Sequence, residues 1–207
     1  MMMETLFAMD LTVILAFMGA GILLNLTPGA DVLFATACGM TGGWRAGVAA
    51  AMGISLGSAF HIALAALGIS AALIAIPHAY DVIRYLGAAY LVVLAIQSWR
   101  ANPTAPQKGT ATIARAIRKG FMTNALNPKV ALFIVALLPQ FTDPTVGPIW
   151  HQIIVLGTIF TLTGLLITSG YGALAGVMGQ RLQSRMTILN KASALIFGGL
   201  AARLAFD

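Results

Sequence analysis

Residues 11–30 read LTVILAFMGAGILLNLTPGA, twenty positions without a charged side chain. The hydrocarbon core of a bilayer is about 30 Å thick, and a helix needs about 20 apolar residues to cross it. No water is available there to satisfy the backbone, so a crossing segment must be helical. This stretch therefore predicts a membrane-spanning helix near the start of the chain.

The whole chain has the composition of a membrane protein. Of its 207 residues 59% are hydrophobic and 9% are charged, and the mean hydropathy is +0.90, values typical of the membrane class. We predict an all-α, polytopic membrane protein with six transmembrane helices. The predicted spans are residues 11–37, 46–75, 82–99, 121–141, 149–177 and 189–206. The second and fifth exceed the required length, which indicates either tilt or interruption at their glycines.

The distribution of basic residues predicts the orientation. The chain carries 12 Lys and Arg against 6 Asp and Glu, but the basic residues lie between apolar runs without stacking aromatics, so we expect no nucleic-acid partner. Lys and Arg accumulate on cytoplasmic loops. Nine of the twelve fall at Arg45, in residues 100–119 and in residues 181–191. We therefore expect a multi-pass protein of the bacterial inner membrane with both termini in the periplasm.

Two local features exclude other classes of protein. Residues 1–10 contain Glu4 and Asp10 but no basic residue, unlike a secretory signal, so we expect the first helix to remain in the mature protein. Cys38 has no second cysteine to pair with and no Cys/His spacing suited to zinc, and we interpret it as a packing residue. We predict no metal site and no cofactor.

The chain resembles itself at an offset of 100 positions. Residues 26–28 (LTP) align with 126–128 (LNP), residues 56–58 (LGS) align with 156–158 (LGT), and Phe60 aligns with Phe160. Each half contains an odd number of spans, so the second copy must cross the membrane in the opposite sense. We predict two inverted three-helix repeats, residues 1–100 and 120–207, joined by a cytoplasmic linker at 101–119 into one membrane domain. A chance match is the alternative, because Leu and Gly are abundant.

The repeated prolines indicate a binding site. A proline inside a helix removes one hydrogen bond and frees backbone groups, and such breaks at matching places in two inverted repeats lie at the substrate site near the middle of the membrane. The candidate residues for substrate or ion binding are Asn25, Thr27, Pro28, Gly29, Asp31, His61, Asn124, Asn127, Pro128 and Lys129. The alternative for the amides and hydroxyls is a structural kink whose carbonyls they cap. His61 is equally compatible with a hydrogen-bonded histidine inside the bundle.

Asp31 and Lys129 are the strongest candidates, because an ionised group within a span is costly unless it is paired or wetted. A carboxylate and an ammonium at one cavity suit a zwitterion, and amino acids are zwitterions at neutral pH. We further hypothesise that Asp31 exchanges a proton during transport, which would give proton antiport. The alternatives are an interfacial charge that reaches water from a shallower depth and a structural ion pair between the halves.

Small residues repeat at four-residue spacing at Gly39, Gly43, Gly47, Ala51 and Ser55. On a helix this spacing places them on one stripe, which permits close approach of a second helix. We interpret the stripe as a packing surface inside the bundle. Sliding during gating and contact within a homodimer are the alternatives.

These motifs together resemble the LysE/RhtB family of amino-acid exporters, and the similarity runs over nearly the full length. The residues that carry it are Thr27-Pro28-Gly29 with Asp31, Gly43, Gly47, Gly57, Gly87, Tyr90-Leu91, Gly120-Phe121, Asn124, Asn127-Pro128-Lys129, Phe133 and Pro139-Gln140-Phe141. The resemblance implies an inner-membrane secondary transporter that exports amino acids such as homoserine, threonine or lysine. It also implies that the proton motive force drives export, so the expected partners are the amino acid and protons.

Other functions fit the sequence less well. We do not expect an enzyme, because the chain has no His-Glu-x-x-His motif and no cysteine pair. A transporter of inorganic or metal ions is the main alternative, but the spans offer Asp31 as their one carboxylate, and hard cations prefer several oxygen ligands. A purely structural or sensory protein would not need two proline breaks with charges beside them.

Overall fold

The structure is a computed structural model that describes residues 5, 8–75, 79–100, 108–178 and 186–206. All regular secondary structure in these residues is helical, as the sequence predicts. The helices are α1 (Leu11–Leu26), α2 (Ala30–Ala75), α3 (Ala79–Arg100), α4 (Ile113–Ala125), α5 (Pro128–Leu137), a 3₁₀ turn (Leu138–Phe141), α6 (Ile149–Met178) and α7 (Met186–Phe206). Glu4, the proline-rich linker at 101–107 and the basic segment at 181–185 lie outside the described residues.

Three helices are long and apolar enough to cross a membrane, at Ala30–Gly68, Asp81–Arg100 and Ile149–Val177. A fourth span results if Ile113–Ala125 and Pro128–Phe141, which meet at a bend of 52°, are taken as one. Helix α1 is apolar but has 16 residues, fewer than a crossing requires. The described residues thus support a multi-pass membrane protein, and the count of six spans stays a prediction.

The boundaries of two predicted spans differ from the structure. The predicted span 11–37 contains the break expected at Pro28, between Leu26 and Ala30, but its helix continues to residue 42. The predicted span 121–141 is preceded by two more helical turns, because α4 begins at Ile113. The second and fifth predicted spans, 46–75 and 149–177, are continuous helix in the structure. Of the two explanations given for their length, interruption at glycines is therefore excluded.

Helix α2 is divided by a sharp kink at Gly43, where φ is 75° and ψ is 179°. This conformation is essentially restricted to glycine, because a Cβ atom would collide with the neighbouring carbonyl. The spacing predicted that the small residues share one helix face, and this prediction is wrong because the kink divides them. Gly43 instead joins two helical segments, residues 30–42 and 44–75.

Glycines hold α2 close to its neighbours. A Cβ added at Gly47 would lie 2.5 Å from the carbonyl carbon of Gly172 in α6, and one added at Gly39 would also collide with Gly172. A Cβ at Gly120 in α4 would collide with the backbone at Ala50. Close approach at small residues is a main way in which membrane helices associate. The packing role predicted for Gly39 and Gly47 is confirmed.

A cluster of buried aromatic rings sets the positions of α1, α5 and α6. The ring centroids of Phe133 and Phe160 are 5.4 Å apart and stacked, and those of Phe17 and Phe133 are 6.4 Å apart. All three side chains are almost completely buried. Buried aromatic residues contribute large apolar area and fixed geometry. The cluster therefore holds the middle of α1 beside the middle of α5.

The connection between the 3₁₀ turn and α6 is fastened by Gln152, which is 1% exposed. Its Oε1 accepts a hydrogen bond from the amide of Asp143 at 2.9 Å, and its Nε2 donates to the carbonyls of Asp143 and Gly147 at 2.7 and 3.0 Å. Within the loop, the Asp143 carboxylate accepts from the hydroxyl and the amide of Thr145. These bonds lower the pKa of Asp143, since they favour its charged form.

The outer surface of the bundle is apolar. Leu67, Leu166 and Leu195 are exposed by 76%, 73% and 70%. Soluble proteins rarely leave extended apolar surface in contact with water. This surface is suited to lipid tails, in agreement with a position in the bilayer.

Candidate functional site: two helix breaks around a polar cavity

The first break separates α1 from α2. Thr27 has extended backbone, with φ −69° and ψ 114°, and Pro28 has no amide hydrogen to continue the helical ladder. The Thr27 hydroxyl donates to the carbonyl of Leu23 at 2.6 Å, and the Thr27 amide donates to the carbonyls of Leu23 and Leu24. The later carbonyls of α1 therefore need partners from elsewhere in the bundle.

The second break separates α4 from α5 and is built in a related way. Asn127 is extended, with φ −83° and ψ 105°, and its Oδ1 caps α5 by accepting a hydrogen bond from the amide of Lys129 at 3.0 Å. Pro128 occupies the first position of α5, where its missing amide hydrogen costs nothing. A proline thus follows an extended residue at both breaks, as the repeated motif predicted.

Tyrosines from two other helices supply hydrogen bonds to the breaks. The Tyr171 hydroxyl in α6 donates to the carbonyl of Leu26 at 3.0 Å. The Tyr90 hydroxyl in α3 donates to the carbonyl of Pro128 at 3.2 Å. The bond to Leu26 is part-buried, where a carbonyl without a donor would cost about 1–3 kcal/mol, whereas the bond to Pro128 is exposed. Each break thus contacts a tyrosine that lies far away in the sequence.

The Lys129 ammonium in the second half closes the first break. It donates to the carbonyl of Thr27 at 3.0 Å and to the carbonyl of Leu24 at 3.2 Å. An ammonium has three donors, so two are occupied by these carbonyls. The ammonium completes the end of α1, where its charge also suits the negative end of the helix dipole.

Asp31 in the first half is held by the second break. Its Oδ2 accepts hydrogen bonds from the side-chain amides of Asn124 and Asn127 at 2.9 and 3.0 Å. Its Oδ1 is buried and has no hydrogen-bond partner in the described part of the chain. The hydrogen bonds of Asp31 come from amides, and those of Lys129 go to carbonyls. Each charged group is therefore held by these hydrogen bonds and not by a direct ion pair with the other. One carboxylate oxygen remains available for a ligand.

Both charged groups line one polar cavity of about 30 Å³. Hydroxyls and amides from four helices and from both breaks also line it. The polar residues of the lining are Asn25, Thr27, Asp31, Ser55, Ser58, Asn124, Asn127, Lys129 and Thr168. A cavity of this size has room for about two water molecules, so a larger ligand requires the surrounding helices to separate.

A wider groove of about 520 Å³ lies on the other side of the breaks. Thr27, Gly29, Asn127 and Lys129 line both the cavity and the groove. The opposite wall of the groove is one face of α3. The two spaces are therefore neighbours, with Lys129 in the wall between them.

The structure brings together most of the candidate residues predicted from the sequence. Those that line the cavity are Asn25, Thr27, Gly29, Asp31, Asn124, Asn127 and Lys129. Pro28 and Pro128 line the groove instead. His61 lies behind the cavity, with Nε2 at 3.1 Å from the carbonyl oxygen of Asn124. A carbonyl only accepts, so in this contact Nε2 carries the proton. His61 thereby positions Asn124, which in turn holds Asp31.

Several residues of the cavity and of the two breaks were not predicted. Ser58 donates to Oδ1 of Asn124 at 3.4 Å, and its place in the repeated Leu-Gly-Ser motif could have marked it. Tyr90 belonged to the family motif, and its role at the second break was not foreseen. Thr168 and Tyr171 lie in an uninterrupted apolar helix, where no sequence signal distinguishes them.

The sequence around Ser55 also matches a motif of serine hydrolases, but its place in the structure does not fit that function. Residues 53–57 read Gly-Ile-Ser-Leu-Gly, which matches the Gly-x-Ser-x-Gly motif of serine hydrolases. That motif requires a sharp turn between a strand and a helix, so that the serine is exposed for attack. Here it lies inside α2, well past the kink at Gly43. The glycine at position 53 instead serves packing, since a Cβ there would collide with Ile117 of α4.

Comparison with known proteins agrees with the motifs. The family model described as LysE type translocator matches residues 22–207. An uncharacterised membrane protein of Vibrio cholerae is 37% identical and covers 95% of this chain and 98% of its own. A homoserine/homoserine lactone efflux protein of Salmonella typhimurium is 30% identical, with coverage of 92% and 94%. A leucine efflux protein of an Enterobacter species is 29% identical, with coverage of 87% and 89%.

No solved structure matches the chain. The family match nevertheless spans nearly all of the sequence, and the relatives align with it almost from end to end. The resemblance inferred from the proline breaks and their neighbouring charges is thereby confirmed. The chain belongs to the LysE type translocator family.

Proposed function

We propose that this protein is a secondary transporter that exports amino acids across the bacterial inner membrane, with the substrate held between Asp31 and Lys129. The observation that carries this proposal is the pair of opposite charges at one cavity, each held by the helix break of the other half. The relatives named for efflux of homoserine and of leucine support the same class of substrate.

The chemistry of the cavity fits a zwitterion. The substrate ammonium binds the unpartnered Oδ1 of Asp31. The substrate carboxylate binds Lys129 and the first turn of α2, whose free amides and positive dipole end favour an anion. Both contacts are charge-assisted hydrogen bonds, which are roughly twice as strong as neutral ones. A ligand with only one of the two charges would leave the other group unpaired.

The proposed architecture has six spans in two inverted repeats. Span one consists of α1 and residues 30–42, and span four consists of α4 and α5, so each repeat begins with a broken helix. One pair of contacts between the halves supports the offset of 100 positions. Phe60 packs on Phe121 with ring centroids 6.1 Å apart, and the equivalent Phe160 lies 3.0 Å from a Cβ built at Gly21. The basic loops then face the cytoplasm and the termini face the periplasm.

Proton antiport follows if the proton and the substrate compete for Asp31. The substrate ammonium needs an ionised carboxylate, so its release leaves a buried charge whose hydrogen bonds come from two amides. Proton uptake from the periplasm neutralises that charge before the empty carrier returns. Because Asp31 cannot hold both at once, each inward proton accompanies one exported molecule.

The test is exchange of labelled homoserine or leucine by purified protein in proteoliposomes with an imposed pH gradient. Asp31→Asn should weaken substrate binding about 10- to 150-fold, the loss of one charged hydrogen bond of about 1.5–3 kcal/mol, and should abolish the response to pH. Asp10→Asn is the matched control, since Asp10 is exposed and caps α1, a task that Asn performs equally well. Retained pH-driven exchange by Asp31→Asn would refute the proton role. Exchange of a metal ion with no amino-acid exchange would favour the inorganic-ion alternative.

A further inference from the structure

The groove beside the cavity is large enough to hold part of a substrate. Its volume of about 520 Å³ compares with about 30 Å³ for the cavity, and small-molecule sites typically measure about 300–1,000 Å³. One wall consists of the two helix breaks, and the other is formed by α3. The groove therefore has room for the side chain of a substrate at Lys129, once the helices around the cavity separate to admit that substrate.

One face of α3 provides the far wall. Tyr90, Leu94, Gln97 and Ser98 follow each other at helical spacing and all line the groove. The bond from the Tyr90 hydroxyl to the carbonyl of Pro128 fastens this face to the second break. Gln97 lies about 10 Å further along the helix axis, seven residues at about 1.5 Å each. The groove thus runs away from the breaks toward the Arg100 end of α3.

The lining is neutral except for one cation. Val93, Leu94 and Leu132 are apolar, Gln97 and Ser98 are polar without charge, and Lys129 is the charged residue. No carboxylate is among these lining residues. A basic side chain in the groove would find no acid among these residues to offset its charge, and such an unbalanced charge is costly at low dielectric. A neutral side chain meets no such penalty.

We propose that this groove is the subsite for the substrate side chain, that it selects neutral over basic amino acids, and that Gln97 and Ser98 determine the choice among them. The inference rests on the proposed function, which places the α-carboxylate at Lys129 in the wall shared by both spaces. The apolar wall accommodates an aliphatic side chain. The Gln97 amide and the Ser98 hydroxyl bind a side-chain hydroxyl.

The test measures competition by leucine, homoserine and lysine against exchange of labelled leucine in proteoliposomes. In the wild type, leucine and homoserine should half-inhibit exchange at concentrations at least about tenfold lower than lysine does. A tenfold ratio corresponds to about 1.4 kcal/mol of discrimination. Gln97→Glu supplies the missing acid and should lower the lysine concentration for half-inhibition by about tenfold. Gln97→Leu removes the polar group and should shift preference from homoserine to leucine.

Val92→Leu is the control, because Val92 is an exposed neighbour on α3 that does not line the groove, and its selectivity should equal that of the wild type. Strong competition by lysine in the wild type would overturn the inference, and so would unchanged selectivity in both Gln97 variants while leucine exchange persists. Absence of all amino-acid exchange in the wild type would instead overturn the proposed function. If Gln97→Glu does not fold, the test rests on the shift in preference from homoserine to leucine in Gln97→Leu.

Discussion

Substitution of Asn127 by Asp tests the bond between the second break and Asp31. Its Oδ1 caps α5 and its Nδ2 donates to Asp31 Oδ2 at 3.0 Å. Asn127→Asp keeps the cap, because Asp is as good at that position as Asn, but it replaces the donor with a second carboxylate. Two unit charges 3.0 Å apart repel by about 5 kcal/mol at an effective dielectric constant of about 20. The lost hydrogen bond adds about 1.5–3 kcal/mol.

The expected result is a large, pH-dependent loss of stability in detergent. The repulsion alone, about 5 kcal/mol, corresponds to a fall in Tm of roughly 10–20 °C for a chain of this size, and the lost hydrogen bond adds to it. Two adjacent carboxylates relieve their repulsion by sharing a proton, so the loss should shrink as the pH falls. Thermal unfolding followed by intrinsic tryptophan fluorescence, at several pH values, measures both effects.

The double variant Asp31→Asn with Asn127→Asp is the decisive control. It places the amide at position 31 and the carboxylate at position 127, so the donor and the acceptor are exchanged and the bond is restored. We expect most of the lost Tm to return, with a weaker pH dependence than in the single variant. If the single and the double variant unfold at the same temperature, the bond between Asp31 and Asn127 is not what stabilises the break.

Two further predictions concern packing and the outer loop. Gly172→Ala should destabilise the fold by about 1–3 kcal/mol through overpacking, because its Cβ would lie 2.7 Å from the backbone of Gly47. A Cβ at Gly170 in the same helix has no neighbour within 4 Å, so Gly170→Ala should stabilise the fold. A fall in Tm for both variants would refute the packing account. The bonds from Thr145 lower the pKa of Asp143 below its ordinary 3.8, so they stabilise the fold at neutral pH, and this contribution is lost as the pH falls through the folded-state pKa. The difference in Tm between Asp143→Ala and the wild type should therefore shrink below pH 3.8, and a difference independent of pH would contradict it.

The breaks could be predicted from the sequence because their cause is local. Pro28 and Pro128 lack the amide hydrogen that a helix needs, whatever surrounds them. The partners at the breaks could not be predicted, since they come from distant segments. The hydroxyl of Tyr171 reaches the carbonyl of Leu26 across 145 positions, and neither residue differs from its apolar neighbours in any pattern that a single sequence shows.

The errors in the helix boundaries also have physical causes. Gly43 fits the spacing of a small-residue stripe and equally fits a kink, and only its φ of 75° distinguishes the two. Helix α4 begins at Ile113 because Arg115, Arg118 and Lys119 are good helix formers. The predicted boundaries were set by the thickness of the bilayer, which limits the part of a helix inside the membrane. The helix itself can continue into water beyond that limit.

The cross-connected charges also bear on leakage, given the proposed transport cycle. Four hydrogen bonds join the halves through Asp31 and Lys129, and each involves a charged group. At about 1.5–3 kcal/mol each, separating the halves without substrate would cost several kcal/mol and would leave both charges without these partners. A zwitterion offers a carboxylate to Lys129 and an ammonium to Asp31, so it replaces the contacts that opening removes. In the proposed cycle the empty carrier would return with Asp31 protonated, because protonation removes a charge that would otherwise lose its hydrogen bonds to the two amides. The bonds that close the cavity in the absence of substrate would thus also couple export to proton entry.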